Sequence, residues 1–347
     1  MKDITVLITA AGNVFMPGTT ACFRNNGERN IRLIGADMND DKTMLEMVDT
    51  YYPVPRGDDP KYVDIILDIC KKEKVDIVMP IMSVELESLS RNKEKFREIG
   101  TIVSVSDIES LEIANDKLRL MDYMSVNGFD CPKYYRIGNA DELIRYAKEL
   151  GYPEKKVCVK ATHGSGSRGF RILDGRINKY DRFMYEKPNT NLISLEEMTE
   201  ILSIPEAMPE MIVMEYLPGN EYTVDLLADK GRVMYNCCRK SLNMDNSIML
   251  DGIIESKKEV LDLCEKVVKS LKLDGNIGFD LKENKNGKPY IMECNPRMTA
   301  GIPMFMAAGI NLPYLCVKKI MGEELPELSI KEGMKMKRRY LEMYCWV

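Results

Sequence analysis

Apolar positions in the first hundred residues alternate between short β-type runs and helical spacings. Ile4–Thr9 is a β-rich run closed by Ala10-Ala11-Gly12, and Ile31–Gly35 is a second, ending in Ala36-Asp37. Between Tyr62 and Lys72, Val63, Ile66, Leu67 and Cys70 recur at helical spacing. Val75–Met79 reads as a strand stopped by Pro80, Glu85–Phe96 as a helix and Thr101–Val105 as a strand. Strands alternating with helices in this way predict a doubly wound parallel sheet. Its first turn, Gly12 to Gly18, lacks G-x-G-x-x-G, so the dinucleotide fingerprint is missing where it belongs. Asp37 stands where a ribose-binding acid would sit, or it caps a loop or helix.

From about residue 115 the pattern changes. Asn115-Asp116-Lys117 opens a helix over Leu118–Asn127, Pro132 starts an extended stretch, and Asp141–Leu150 is a helix closed by Gly151. Val157–Ala161 and Phe170–Leu173 read as strands. Asp174 to Pro209 is irregular and polar, with one helix near Leu195–Leu202. Met211–Met214 and Glu221–Ala228 are strands, and Arg232–Cys238 pairs with the latter across Asp229-Lys230-Gly231. Glu255–Leu271 is an amphipathic helix. Asn276–Lys282 and Pro289–Cys294 flank an Asn286-Gly287 turn. Pro303–Met321 reads as one apolar helix. The second half is thus antiparallel α+β behind an α/β unit.

Composition narrows the function. The chain has 347 residues with 49 Lys and Arg against 54 Asp and Glu, a net charge of −5. No global basic field for nucleic acid is present, and no run is apolar enough to span a membrane. The ten cysteines include no C-x-x-C, which points to reduced thiols and a cytoplasmic location. The single histidine, His163, excludes paired-histidine zinc sites and leaves a Ser-His-Asp hydrolase without a G-x-S-x-G elbow.

Three segments carry candidate chemistry. His163 to Gly169, directly after the strand that ends at Lys160, satisfies G-x-G-x-x-G as text but leads into a β-type run. A glycine-rich loop between two strands can fold over phosphates, with Lys160 as a point charge; otherwise it is a flexible hairpin tip. On the Asn286-Gly287 hairpin, a two-residue turn would place Asp280 directly opposite Glu293, with Asn295 on the same face as Glu293. Two acids and an amide oxygen suit a hard divalent cation. Arg297 beside them suggests capture of a carboxylate or phosphoryl group. Glu215-Tyr216-Leu217 joins two strands through Pro218-Gly219 to Glu221. It offers an apolar slot for a purine and a carboxylate for a ribose, or it is a plain hairpin.

In this order the pieces resemble the ATP-grasp superfamily, closest to single-module relatives of the carbamoyl phosphate synthase large subunit and carboxylate–amine ligases. The similar stretches also include Gly35-Ala36-Asp37, Asp49 to Pro55 and Met79 to Glu87. The resemblance implies a pre-ATP-grasp, Rossmann-like domain over residues 1–113 and an ATP-grasp domain over 114–325. Its mobile lid would span about 125–212, with a C-terminal segment at 326–347. It implies that Lys117, Lys160, Ser165, Gly166 and Ser167 hold nucleotide phosphates. Glu215, Tyr216 and Leu217 would hold adenine, and Glu221 ribose. Asp280, Glu293 and Asn295 would bind Mg²⁺, or Mn²⁺ in its place, and Arg297 would stabilise the transferred phosphoryl group.

The implied reaction is ADP-forming activation of a carboxylate as an acyl phosphate for attack by an amine or other nucleophile. Phosphoryl transfer needs positioning and charge neutralisation more than a side-chain nucleophile, so one histidine is no handicap. Expected partners are therefore ATP and small acid and amine substrates, with a homodimer implied by the resemblance. A split synthase subunit that phosphorylates bicarbonate or carbamate is an alternative, as is a nucleotide-binding module without turnover. A dinucleotide oxidoreductase is the fold-level rival for residues 1–110. Arg239-Lys240 lies where relatives place substrate-side cations, or these are surface charges.

Overall fold

The computed structural model describes residues 1–162, 168–188, 190–204, 209–245, 248–339 and 342–345. The chain builds three sheets among these residues. The first is formed by β1 (Ile4–Thr9), β2 (Ile31–Asp37), β3 (Thr50–Pro53), β4 (Ile77–Met79) and β5 (Ile102–Val103), in the order β3-β2-β1-β4-β5 and parallel throughout. Its strands are almost wholly apolar because helices cover both faces. The helix Tyr62–Glu73 buries the Val63, Ile66, Leu67 and Cys70 stripe that its spacing predicted.

Two helical expectations need correction here. A helix at Met16–Arg24, entered through Pro17, went unread. Glu85–Phe96 is two helices, Ser83–Arg91 and Lys93–Glu98, because the chain breaks at Asn92. Asp37 accepts from the backbone N–H of Gly12 and of Asn39, each at 2.9 Å. It therefore organises the first turn, as the loop-capping reading expects.

The second sheet contains β6 (Tyr134–Ile137), β7 (Val157–Ala161), β8 (Phe170–Leu173), β9 (Leu192–Ile193) and β10 (Met211–Glu215), ordered β6-β10-β7-β8-β9. The third contains β11 (Glu221–Asp229), β12 (Arg232–Asp245), β13 (Ile248–Ile254), β14 (Gly275–Glu283), β15 (Pro289–Asn295) and β16 (Lys335–Lys337), ordered β15-β14-β11-β12-β13-β16. The helix Lys258–Leu271 lays Val260, Cys264, Val267, Val268 and Leu271 against this sheet. It starts three residues later than the apolar pattern suggests. The apolar run after Pro303 is not one helix but two, Pro303–Ala307 and Leu312–Ile320. Gly309 between them has φ 106°, a conformation that stops a helix. No helix among the described residues is long and apolar enough to cross a membrane.

One electrostatic tie holds the second sheet to its polar insert. Burial alone would raise the Asp174 carboxyl, but hydrogen bonds from Lys156 and Arg176 outweigh it and hold the group at about 2. A depressed carboxylate stabilises the fold above its unfolded value near 3.8, and that contribution is lost as pH falls toward 2. Asp174→Asn is expected to lower stability by about 1–2 kcal/mol at pH 7, and the difference from wild type should vanish near pH 2. Urea melts at several pH values measure it; a pH-independent difference would point to packing instead.

Candidate functional site

The hairpin of β14 and β15 sets the centre of the site. Asp280 does face Glu293, as the sequence suggested, but the turn is longer than two residues. Pairing runs Glu283 to Pro289, and the five residues between them form the loop, closed by Gly287 N–H to Asn284 C=O at 3.0 Å. A bulge at Met292, between the Leu281–Ile291 and Asp280–Glu293 pairs, shifts the register by one and restores the expected partners.

The row continues across the sheet. Asp280 is opposite Thr223 on β11, and Thr223 is opposite Arg239 on β12. Glu293, Asp280, Thr223 and Arg239 therefore lie side by side on four strands. The neighbouring row carries Asn295, Gly278, Asp225 and Cys237. Gly278 is small for a reason: a Cβ there would stand 2.1 Å from Thr299 Cγ2 and 3.2 Å from Asp225 Oδ1.

Hydrogen bonds fix the centre. Thr223 Oγ1 donates to Asp280 Oδ1 at 2.9 Å, and Asn295 Nδ2 donates to Asp280 Oδ2 at 3.1 Å. Burial, then the charge of Glu293, pushes the Asp280 carboxyl well above the ordinary carboxylate range. Lys117 Nζ lies 3.1 Å from Glu293 Oε2. It is the first residue of the helix Lys117–Val126, whose N-cap Asp116 accepts from the Leu118 and Arg119 amides. Lys160, on β7, feels the charges of Glu293, Asp280 and Lys117, and burial lowers its ammonium pKa. Two acids and two lysines from four elements thus share one cleft.

Arg297 closes one end. Its Nη2 donates to Asn295 Oδ1 at 3.0 Å, its Nη1 to the Met298 carbonyl at 2.8 Å and its Nε to Ser83 Oγ at 3.4 Å. Ser83 belongs to the first sheet's domain, so the site is completed across domains. Beneath Ser83, Glu85 accepts from Thr9, from Tyr62 and from the amides of Ile81 (3.0 Å) and Met82 (2.9 Å). These bonds brace the turn that meets Arg297.

The two carboxylates offer hard oxygen ligands, and their mutual repulsion fits a cation between them. Asn295 fits less directly. Its oxygen accepts from Arg297 and its nitrogen faces Asp280, so the oxygen reaches a cation there only after the amide turns over. Among the described residues no group of three His, Cys, Asp or Glu side chains converges as metal ligands.

At the other end, Glu215 closes β10 by accepting from the Lys133 amide at 2.8 Å, and Leu217 is buried. Tyr216, Phe170, Ile172 and Met292 are partly buried around a small apolar cluster of Leu118, Met121, Cys158, Ile212 and Met214. Glu221 pairs with Lys282 at 3.2 Å. The glycine-rich loop does join two antiparallel strands, with Lys160 opposite Phe170. Its Ser165, Gly166 and Ser167, like His163, lie outside the described residues.

Arg239 is neither a surface charge nor free. It is almost fully buried, pairs with Asp225, donates to Thr299 Oγ1 at 3.2 Å and stacks 5.2 Å from the Phe305 ring. Lys240 points to the opposite face, 3.9 Å from Glu255. Thr223, Asp225 and Ser83 escaped sequence reasoning. The first two had a readable signal, since Glu221, Thr223 and Asp225 are alternate polar positions in an otherwise apolar strand.

Residues 6–104 match the family model described as "PylC-like, N-terminal domain", and residues 207–340 that described as "ATP-grasp in the biosynthetic pathway with Ter operon". The carbamoyl phosphate synthase large chain of Thermotoga petrophila is 27% identical over 280 residues, covering 78% of this chain and 24% of that protein. The chain therefore spans about a quarter of that relative's length. N5-carboxyaminoimidazole synthetase from Staphylococcus aureus superposes with a TM-score of 0.69 at 14% identity, covering 96% of this chain and 82% of the other. The biotin carboxylase domain of 2-oxoglutarate carboxylase from Hydrogenobacter thermophilus, solved with MgADP and bicarbonate, gives 0.70 at 18% identity, covering 95% and 73%. At these identities the structural likeness establishes the fold. That fold is the one seen in ATP-grasp enzymes, and the two family matches and the 27% likeness to the carbamoyl phosphate synthase large chain point the same way.

Proposed function

We propose that the chain uses ATP to activate a carboxylate as an acyl phosphate, releasing ADP, for attack by an amine or other nucleophile. The observation that carries this reading is the convergence of Glu293, Asp280, Lys117, Lys160 and Arg297 on one cleft. A carboxylate oxygen attacks the γ-phosphorus, ADP departs, and the nucleophile then expels phosphate from the acyl carbon. Such transfer is governed by positioning and charge. Lys117 and Lys160 hold phosphate oxygens, and Ser165, Gly166 and Ser167 are assigned to the same phosphates. Glu215 to Leu217, with the apolar surface at Tyr216 and Phe170, take adenine, and Glu221 takes ribose. Asp280, Glu293 and Asn295 hold Mg²⁺ or Mn²⁺, which when bound neutralises phosphate oxygens. Arg297 orients the acid and stabilises charge on the transferred group. Holding like charges opposed in a buried cleft is costly, which favours turnover over passive nucleotide binding. A homodimer and a cytoplasmic location belong to the same proposal.

Thermal-shift measurements with ATP, ADP, NAD and NADP, each with and without Mg²⁺, test it. A ligand at about 100 times its Kd adds roughly 2.7 kcal/mol of stability. A Mg²⁺-dependent shift with adenine mononucleotides alone is expected, and a shift with NAD or NADP alone would overturn the reading. In the same assay Lys160→Ala should weaken ATP binding by about 1.5–3 kcal/mol, the worth of one charge-assisted contact. Unchanged affinity would move the phosphates elsewhere.

A further inference from the structure

Residues 297–301 follow the β14–β15 hairpin, and three guanidinium groups converge on them. Arg297 donates to the Met298 carbonyl. Arg239 donates to Thr299 Oγ1 and packs on Gly301, where a Cβ would stand 2.4 Å from the Arg239 Cζ. Arg338, just after β16, donates to the Ala300 carbonyl and, through Nε, to the Met249 carbonyl at 2.9 Å. Arg239 has the Asp225 carboxylate, and Arg297 lies among the acids of the cleft. The Arg338 side chain hydrogen-bonds only to carbonyls, and among the described residues no carboxylate pairs with it.

The cluster is chemically unfinished. Arg239 Nε and Asp225 Oδ1 are buried without a hydrogen-bond partner among the described residues. Burial, then the charge of Arg239, lowers the Arg338 pKa, so the two guanidinium groups oppose each other. Phe15, from the first loop of the N-terminal domain, lies 5.7 Å from Arg338 Cζ. That loop leaves the carboxyl end of β1, and in open α/β sheets ligands bind at this edge. Ser83, which opens the helix that follows β4 at the same edge, meets Arg297.

We propose that Arg338, backed by Arg239 and Phe15, binds a second anionic group of the acid substrate, which is therefore a small acid with two anionic ends. This rests on the acyl-phosphate reading for its first end, held at Arg297. The carbonyls that anchor Arg297 and Arg338 are two residues apart, so at most about 7 Å. Each guanidinium stands one hydrogen bond from its carbonyl, so the two groups are at most about 13 Å apart, and a short dicarboxylate or phosphonate-bearing acid with a hydrogen bond at each end can reach both. Arg is the natural partner for either, because its planar fork matches both anions.

The test uses the whole chain with MgATP and hydroxylamine as the trapping nucleophile. ADP release is followed with acetate and butyrate as monoacids, succinate and glutarate as diacids, and phosphonoacetate as the phosphorus acid. Diacids or phosphonoacetate should serve, and which of the two does identifies the second anion. Arg338→Gln should raise the KM of that acid roughly tenfold to a hundredfold with little loss of kcat, and Arg338→Lys should recover part of it. Equal use of monoacids, or an unchanged KM in Arg338→Gln, overturns the proposal. If no acid supports ADP release, the activation reading fails by itself. Calorimetric titration of succinate and phosphonoacetate into the MgADP-loaded protein then decides for Arg338. Binding to wild type that is lost in Arg338→Gln supports the site, while no binding, or equal binding, overturns it. MgADP affinity of each variant checks that it folds.

Discussion

Glu293→Gln is expected to eliminate Mg²⁺-dependent ADP release, a fall of at least about 10³-fold, while the fold remains intact. Losing one preorganised electrostatic contact in a closed site costs about 2.7–4 kcal/mol in the rate. Here the lost group is also one of two opposed carboxylates. The stability change without metal is the second readout. The variant loses the Lys117 contact to Glu293, a partly buried pair worth on the order of 1 kcal/mol. It gains relief from the repulsion that helps raise the Asp280 carboxyl. The two nearly cancel, so melting without Mg²⁺ should move little, whereas the extra shift that Mg²⁺ gives with ATP should disappear. Normal turnover with an intact metal-dependent shift would remove the β14–β15 hairpin from the metal site.

Arg297→Lys should lower kcat by about 10²–10³-fold and leave MgATP affinity nearly unchanged. Lysine keeps the charge but loses the fork, which here spans Asn295, Met298 and Ser83 at once. An interaction made chiefly in the transition state appears in kcat, and one made equally in the ground state appears in KM. A variant with normal kcat and a raised KM for the acid would make Arg297 a substrate anchor only. Steady-state kinetics with the acid varied at saturating MgATP separates the two.

The hairpin shows how far local pattern reaches and where it stops. Asn286-Gly287 suggested a two-residue turn, which gives the right partner for Asp280. The actual loop is five residues long, and a bulge at Met292 compensates for it. Local residues specify that a turn occurs; strand packing selects its length and register. The same limit applies to the helices after Pro303, where an apolar run gave no hint that Gly309 would divide it.

By itself the sequence determined the parallel unit at the start, the mostly antiparallel strands behind it and the residue types of the candidate site. Period-two and period-3.6 patterns report which faces are buried, and Lys117, Lys160, Asp280, Glu293, Asn295 and Arg297 are unusual where they stand. Tertiary structure alone decided what surrounds them. Thr223 and Arg239 join the row of Glu293 and Asp280 only because β11 and β12 are hydrogen-bonded beside β14. Ser83 meets Arg297 from 214 residues away in the chain. Arg239 reads in sequence as either a substrate-side cation or a surface charge and is a buried ion pair in the fold, since Asp225 faces it and Gly301 leaves room. Partners across strands and domains are set by register and packing, which no local spacing encodes.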